Sequence, residues 1–384
     1  MKKFFTLISV ALMGLAGCTF EDGNDNGTNY TQDVFIRFEN AGQPATRIEE
    51  ASKGNVDKVS FASGYIFFIT AQNSIKKCYR IAPTGTGSDL PNHVISIDDF
   101  WDVAATSGYL FQNVSGEVTQ VYIIGNVPED GTTAESVIRS KTTLEELKKI
   151  AIPVGAQSNV DVVTLDGIDS ALESINGDVT KKKADITLTP LCSRIEIAKF
   201  TSTGAVTDYK LQGIYVSHFY NSMPLNETSV AANQEIYATN GGTDYGVYPS
   251  MCDKTATGAQ QLGTKQNAVT TPATAGNVWA YQFLPGSDND RISPRLVIEL
   301  NGVTSTIGKF NANQTYYLNI RGFKNSGAAP NADPMSVTRG KVYKIANVSF
   351  DESDISDIPN PADINLTVTV SVAEWEVVPV EPVM

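Results

Sequence analysis

The segment Ile364-Asn365-Leu366-Thr367-Val368-Thr369-Val370-Ser371-Val372 carries an apolar residue at every even position and a polar one at every odd position. Side chains alternate between the two faces of a β-strand, so this pattern describes a strand with one buried face and does not form a helical stripe. The same period of two recurs along most of the chain, in short runs of Val, Ile, Phe and Tyr separated by clusters of Gly, Asn, Asp, Thr and Pro. Strands are expected at 33–39, 58–71, 77–82, 120–125, 184–189, 194–200, 209–219, 280–284, 295–301, 315–322, 342–350 and 364–378. Helix signals are few. Thr142 can cap a helix over 142–150, with Glu145 three residues on and Lys148 and Lys149 in the last turn. A second short helix is expected over 166–175, ended by Asn176-Gly177. The fold class is therefore mainly β with a few short helices.

A chain of 384 residues has the length of two domains, and 41% hydrophobic with 18% charged residues is ordinary globular composition. The polar stretch 178–183 is the expected seam, and each flank is long enough for its own β-sandwich core. Residues 255–276 and 325–339, rich in Gly, Ala, Thr and Asn, read as long loops. A net charge of −13 argues against nucleic acid and anionic lipid surfaces as partners, since both need clustered Lys and Arg. The one basic run, Lys181-Lys182-Lys183, reads as a solvated turn.

At the N-terminus, Lys2 and Lys3 precede an apolar run from Phe4 to Ala16 that is too short to span a bilayer, so residues 1–17 read as a cleavable signal peptide. The run ends in Leu15-Ala16-Gly17-Cys18, the pattern of a bacterial lipobox, in which the Cys18 thiol takes the lipid. Glu21, Asp22, Gly23, Asn24, Asp25, Asn26 and Gly27 follow, a tether too polar to bury a core. The expectation is an exported chain held to the outer membrane by its acyl groups. With Cys18 lipidated, Cys78, Cys192 and Cys252 remain at wide spacings without a Cys-x-x-Cys, and they read as buried free thiols in place of a zinc site.

Catalytic constellations are poorly supported. Neither His93 nor His218 stands at motif spacing from a serine or cysteine, and there is no phosphate-binding glycine loop, His-Glu-x-x-His or EF-hand loop. Asp98-Asp99, Glu145-Glu146 and Asp351-Glu352 read as surface charge, because adjacency in sequence does not set the separation a glycosidase needs. Phe100-Trp101 and Trp279 are candidate sugar platforms, and large aromatics of this kind more often lie in a sandwich core. No enzyme activity and no cofactor is expected.

Two segments stand apart from the ordinary strands. In the first, the apolar positions are even through Val372, but after Ala373 the parity flips and places Trp375 and Val377 in the apolar set with Glu374 and Glu376 outside it. Such a strand must bulge, twist or pass to another body. In the second, Asp33-Val34-Phe35-Ile36-Arg37-Phe38-Glu39 lies just after the tether and is followed by Gln43-Pro44-Ala45-Thr46-Arg47, an extended stretch ending at a protease-type arginine. A strand joined to its body through a cleavable loop can be lost, and the vacated groove then accepts a strand from elsewhere. About five apolar side chains at roughly 1.5–3 kcal/mol each would contribute on the order of 10 kcal/mol before entropic costs.

The lipobox at Cys18, the Thr46-Arg47 junction, the stretch Leu188-Thr189-Pro190-Leu191-Cys192-Ser193-Arg194-Ile195-Glu196-Ile197, Tyr316-Tyr317-Leu318-Asn319-Ile320 and the closing Thr338-Arg339-Gly340-Lys341-Val342-Tyr343-Lys344-Ile345 together resemble the FimA/Mfa-type fimbrillins of the Bacteroidales. Acidic residues just after the lipidated cysteine also resemble a surface-export signal of such lipoproteins. The resemblance implies two transthyretin-like β-sandwich domains in tandem, at 48–183 and 184–384, preceded by a removable segment at 18–47. It further implies cleavage at Arg47 by an Arg-specific surface protease and loss of the strand bearing Val34, Ile36 and Phe38. A donor strand within 364–384, through Val370, Val372, Trp375, Val377 and Val378, would then enter a neighbouring subunit. Partners would be other fimbrial subunits and an adhesion ligand. Ile48 after Arg47, and Arg37 inside the strand, leave the scissile bond open. The alternative is a monomeric surface lipoprotein that binds glycan and retains the strand at 33–39.

Overall fold

The computed structural model describes residues 30–38, 58–82, 94–97, 100, 108–129, 134–158, 163–227, 233–237, 244–254, 278–285, 294–329, 335–359, 366–374 and 376–379. Strands dominate, as the period of two requires. A four-stranded sheet runs in the order β10 (Glu173–Ile175), β11 (Asp178–Ile186), β1 (Thr31–Phe38) and β6 (Tyr109–Ser115). A six-stranded sheet runs β12 (Thr189–Pro190), β9 (Leu165–Asp169), β7 (Val118–Gly125), β3 (Gly64–Thr70), β4 (Ile75–Ala82) and β5 (Val94–Ser96). The two pack face to face. Phe68 of β3 meets Phe111 of β6 with ring centroids 5.1 Å apart, and Val34, Ile36 and Phe38 of β1 lie in the same core.

The later half of the chain forms a nine-stranded sheet in the order β19 (Cys252–Lys254), β15 (Val206–Ser217), β21 (Arg295–Ser305), β22 (Tyr316–Asn325), β26 (Leu366–Glu374), β23 (Lys341–Ile345), β13 (Ser193–Ile197) and β20 (Trp279–Phe283), with β25 (Ile355–Ser356) on β22. Four two-stranded pairs complete the described strands: β14 (Phe200–Ser202) with β24 (Val348–Phe350), β16 (Phe219–Tyr220) with β18 (Gln234–Glu235), β8 (Ala151–Pro153) with β17 (Ser222–Pro224), and β2 (Lys58–Phe61) with β27 (Glu376–Pro379). The last two pairs each join a strand of the first half to one of the second.

A buried charge cluster reinforces that junction. Arg339, just before β23, donates from Nε to the Pro190 carbonyl at 3.0 Å, from Nη1 to Glu227 Oε1 at 2.9 Å, and from Nη2 to the Thr189 carbonyl at 2.6 Å and to Asp166. Asp166 also accepts from the Tyr122 hydroxyl at 2.7 Å. Gly340 follows with φ +69°, and a Cβ there would meet Thr189 Cγ2 at 2.6 Å, so the chain turns into β23 only without a side chain.

Two α-helices lie wholly within the described residues, α1 (Glu135–Arg139) and α2 (Leu144–Lys148), besides short 3-10 turns at Val154–Gln157 and Pro249–Met251. The cap of α2 is Thr143, one residue later than expected: its hydroxyl accepts from Glu146 N, and Glu146 turns back to Thr142. The helix expected over 166–175 does not form. Those residues belong to β9 and β10, and Asn176-Gly177, with φ 52° and 77°, is the two-residue turn of the β10–β11 hairpin. Two consecutive positive φ values are the signature of a hairpin turn, and that pairing outcompetes a marginal helix. The expected seam at 178–183 is likewise strand: β11 continues to Ile186 with Ala184 and Ile186 buried. Lys181-Lys182-Lys183 therefore lie in a paired strand and not in a turn, with Lys183 bridging to Glu173 at 3.3 Å and Lys182 donating to Ser174 Oγ at 3.0 Å.

Candidate functional site

β1 is an interior strand. On one side it runs parallel to β11, from Asp33 opposite Lys181 to Phe38 opposite Ile186. On the other it runs antiparallel to β6, with Thr31 opposite Ser115 and Ile36 opposite Tyr109. Both edges of its backbone are thus engaged, and its inward side chains are Gln32, Val34, Ile36 and Phe38, at 2%, 0%, 0% and 4% exposure. Phe38 closes the row in an aromatic cluster, with its ring 5.6 Å from Phe100 and 6.1 Å from Phe61. Burying three such apolar side chains stabilises the packed strand by about 1.5–3 kcal/mol each. Arg37 points outward, and its Nε donates to Asp185 Oδ1 at 2.8 Å.

The C-terminal segment is also paired. Leu366 to Val370 of β26 run parallel to β22, and Ser371 to Glu374 run antiparallel to β23, so one strand serves two neighbours in succession. Val368 and Val370 are buried, at 4% and 0% exposure, while Val372 is 39% exposed. The strand ends at Glu374, and β27 begins at Glu376 on a different partner: Val377 lies opposite Val59, Val378 opposite Ser60 and Pro379 opposite Phe61 of β2. The parity flip after Ala373 thus marks a passage from one body to another. Trp375, together with Cys18 and Arg47, lies outside the described residues.

The two segments meet at Phe61. Its ring packs on Phe38 of β1, and its backbone is the ladder partner of Pro379 in the tail. Gly125 makes this possible, because a Cβ there would lie 2.5 Å from the Phe61 ring.

β6, which flanks β1, was not anticipated in the sequence. Its signal was present in Tyr109-Leu110-Phe111, but Asn113, with φ 57°, interrupts the alternation and bulges the strand between Val114 and Phe111.

Other candidate chemistry resolves into packing. Phe100 and Trp279, at 0% and 5% exposure, are core residues and offer no platform for a sugar; Trp101 and His93 lie outside the described residues. His218 Nδ1 lies 2.9 Å from Ser217 Oγ, but that oxygen accepts from the Tyr237 backbone N–H, and burial together with Arg295 and Arg321 pushes the imidazole down to about 4. Glu145 bridges to Lys149, Glu146 binds Thr142, and Asp351 and Glu352 accept from Ser353 and from the Ala205 N–H, while Asp98 and Asp99 are outside the described residues. Cys78, Cys192 and Cys252 are buried free thiols, and burial pushes the first two up to about 12. Among the described residues no group of three or more His, Cys, Asp or Glu is placed to hold a metal, and no helix is long and apolar enough to cross a membrane.

A candidate cell adhesion protein from Bacteroides eggerthii superposes on this chain with a TM-score of 0.55 at 13% identity, covering 92% of this chain and 100% of the other. A fimbrilin from Porphyromonas gingivalis superposes with a TM-score of 0.53 at 12% identity, covering 91% and 99%. The chain has the fimbrillin fold. The superpositions run through almost the full length of the solved proteins, whose folds are β-sandwiches. A candidate cell adhesion protein from Parabacteroides distasonis gives a TM-score of 0.50 at 9% identity over 90% of this chain and 99% of the other. No family model and no curated protein matches the chain.

Proposed function

We propose that this chain is a structural subunit of a surface fimbria, exported as a lipoprotein on Cys18, and assembled by replacement of β1 after an Arg-specific protease cuts at Arg47. The observation that carries the reading is that β1 is an interior strand with three buried apolar side chains, yet it is joined to the rest of the chain only through residues 39–57. Removing it leaves the facing edges of β6 and β11 unpaired, and a groove with slots for Val34, Ile36 and Phe38. Unpaired strand edges over an apolar floor are a template for another chain.

Arg37 is a poor competitor for the protease, because a strand paired on both edges must leave its sheet before it can be cut. The donor segment of this chain is Val370, Val372, Trp375, Val377 and Val378 within 364–384. Val368 and Val370 are core residues of their own sheet, whereas β27 pairs with β2 alone among the described residues, so the donor part of the tail centres on Glu376–Pro379. The two β-sandwich domains of this reading are 48–183 and 184–384, with β11 running across the boundary between them. Other fimbrial subunits, the surface protease, outer-membrane lipid and an adhesion ligand are the partners, and the role is mechanical and adhesive, not enzymatic. The fold shared with a fimbrilin supports this reading.

The test is a low-dose trypsin time course on the chain from Thr19, following N-terminal sequence and size together. The expected result is cleavage after Arg47, loss of the segment bearing β1, and stable oligomers that vanish when 375–384 is deleted. A cut product that stays monomeric with its tail intact would favour the glycan-binding alternative.

A further inference from the structure

The groove under β1 is not apolar along its whole length. Gln32 is buried in it, and its Nε2 donates to the Val118 carbonyl at 2.7 Å and to the Ser115 carbonyl at 3.3 Å. One alternate position earlier, Tyr30 lies on Gly116, where a Cβ would collide with the ring; the Gly116 N–H donates to the Tyr30 carbonyl at 2.8 Å, and the phenol donates to the Val179 carbonyl. A cleft of about 700 Å³ opens beside this end, with Gln32, Val118, Leu172 and Val179 in its walls.

A one-residue slip would turn an alternating strand inside out, so burial alone forbids it. A two-residue slip is different: three aliphatic or aromatic side chains in a row can slide by two and remain buried. A buried amide closes that route. After such a slide the amide would enter an apolar slot and its carbonyl partners would face a hydrocarbon, and an unsatisfied buried polar group costs about 1–3 kcal/mol. A single buried Asn fixes register in coiled coils by the same means.

We infer that the Gln32 position is a register lock and a partner filter: the strand preferred in the place of β1 belongs to a different subunit and carries a side-chain amide two residues ahead of three alternating apolar residues. This rests on the strand replacement proposed above. The tail of this chain fits less well. The only amide in 364–384 is Asn365, which is followed at alternate positions by Thr367, Thr369 and Ser371. If Val378, Val380 and Pro382 filled the apolar slots, Glu376 would present an acceptor-only carboxylate to the two carbonyls. If Ala373, Trp375 and Val377 filled them, Ser371 would supply a donor well short of the reach of a Gln amide. The groove therefore prefers a foreign strand to the tail of another copy, which fills it only where no such strand competes, as in the trypsin time course on the isolated chain.

The test uses the full chain cut after Arg47 and offered labelled peptides: residues 29–39, the same peptide with Gln32→Val or Gln32→Asn, and residues 364–384. Uptake at least tenfold weaker for the Gln32→Val peptide and for 364–384 than for the native peptide, with partial recovery by Gln32→Asn, is the expected result. Equal or tighter uptake of the Gln32→Val peptide overturns the lock while leaving strand replacement standing. If no peptide enters at all, strand replacement fails, and the uncut chain decides the lock. There Gln32→Val should raise the rate of tryptic cutting at Arg37 at least tenfold, with Gln32→Asn restoring part of the protection, and an unchanged rate overturns it.

Discussion

Phe38, the last residue of β1, packs against Phe61 with ring centroids 6.1 Å apart, and Phe61 is the ladder partner of Pro379 in the C-terminal tail. β1 and β27 therefore meet at one residue, β1 through its ring and β27 through its backbone. Loss of β1 unpacks the Phe61 ring and loosens β2, on which β27 is docked. Amide hydrogen exchange should rise in β27 on cleavage at Arg47 and loss of β1, while amides in β21 stay protected. Unchanged exchange in β27 would separate the two events. Phe38→Ala should reproduce part of the effect in the uncut chain, at about 3–5 kcal/mol of stability.

The tail has a part built into the nine-stranded sheet and a part, β27, that pairs with β2 alone among the described residues. Val370 is fully buried between β22 and β23, so Val370→Ala should lower stability by an amount near the lower end of the range for core truncations, about 1–3 kcal/mol, read by urea unfolding. Deleting 375–384 should leave the unfolding midpoint of the nine-stranded sheet in place. A collapse of the fold on that deletion would show that β27 is structural.

Arg339 couples the two halves through Asp166, Glu227 and the carbonyls of Thr189 and Pro190. Arg339→Met leaves Asp166 buried without its cation, a loss of about 3–5 kcal/mol for a broken buried pair. The expected readout is a thermal transition that splits in two, because the cluster ties β9 and β12 to the start of β23. A single transition of unchanged Tm would contradict the coupling.

His218 is held neutral. Burial, then Arg295 and Arg321, depress its pKa from 6.5 to about 4, so the unfolded chain binds this proton before the folded one does. Stability from this group is complete above about 6.5 and is lost as the pH falls toward about 4. His218 also has φ 60°, a conformation that Asn accepts. His218→Asn should lose less stability than the native chain between those two pH values, measured by urea midpoints, and parallel curves would rule out the histidine as the cause.

The period of two was enough to read a mainly β chain, the burial of Val34, Ile36 and Phe38, and the break after Ala373. What it could not show is where a strand changes partners. Residues 58–71 and 342–350 each read as one strand, yet Ala62-Ser63 and Ala346-Asn347 divide them between different sheets, because alternation records which face is buried and not which neighbour is paired. The helix expected over 166–175 was lost for a related reason, since Asn176-Gly177 ends helices and turns hairpins alike. Gln32 was invisible as a functional residue, for a polar side chain beside the tether looks solvated until its two carbonyl partners, at Ser115 and Val118, are brought from far along the chain.

The most direct measurement locks β1 in place. Phe35 and Leu110 are ladder partners on the outward face of β1 and β6, so Phe35→Cys with Leu110→Cys can form a disulfide without touching the core. Oxidised, the double variant should be cut after Arg47 and remain monomeric, and dithiothreitol should release the strand and restore oligomers. Oligomers that form with the disulfide intact would contradict assembly through the β1 groove.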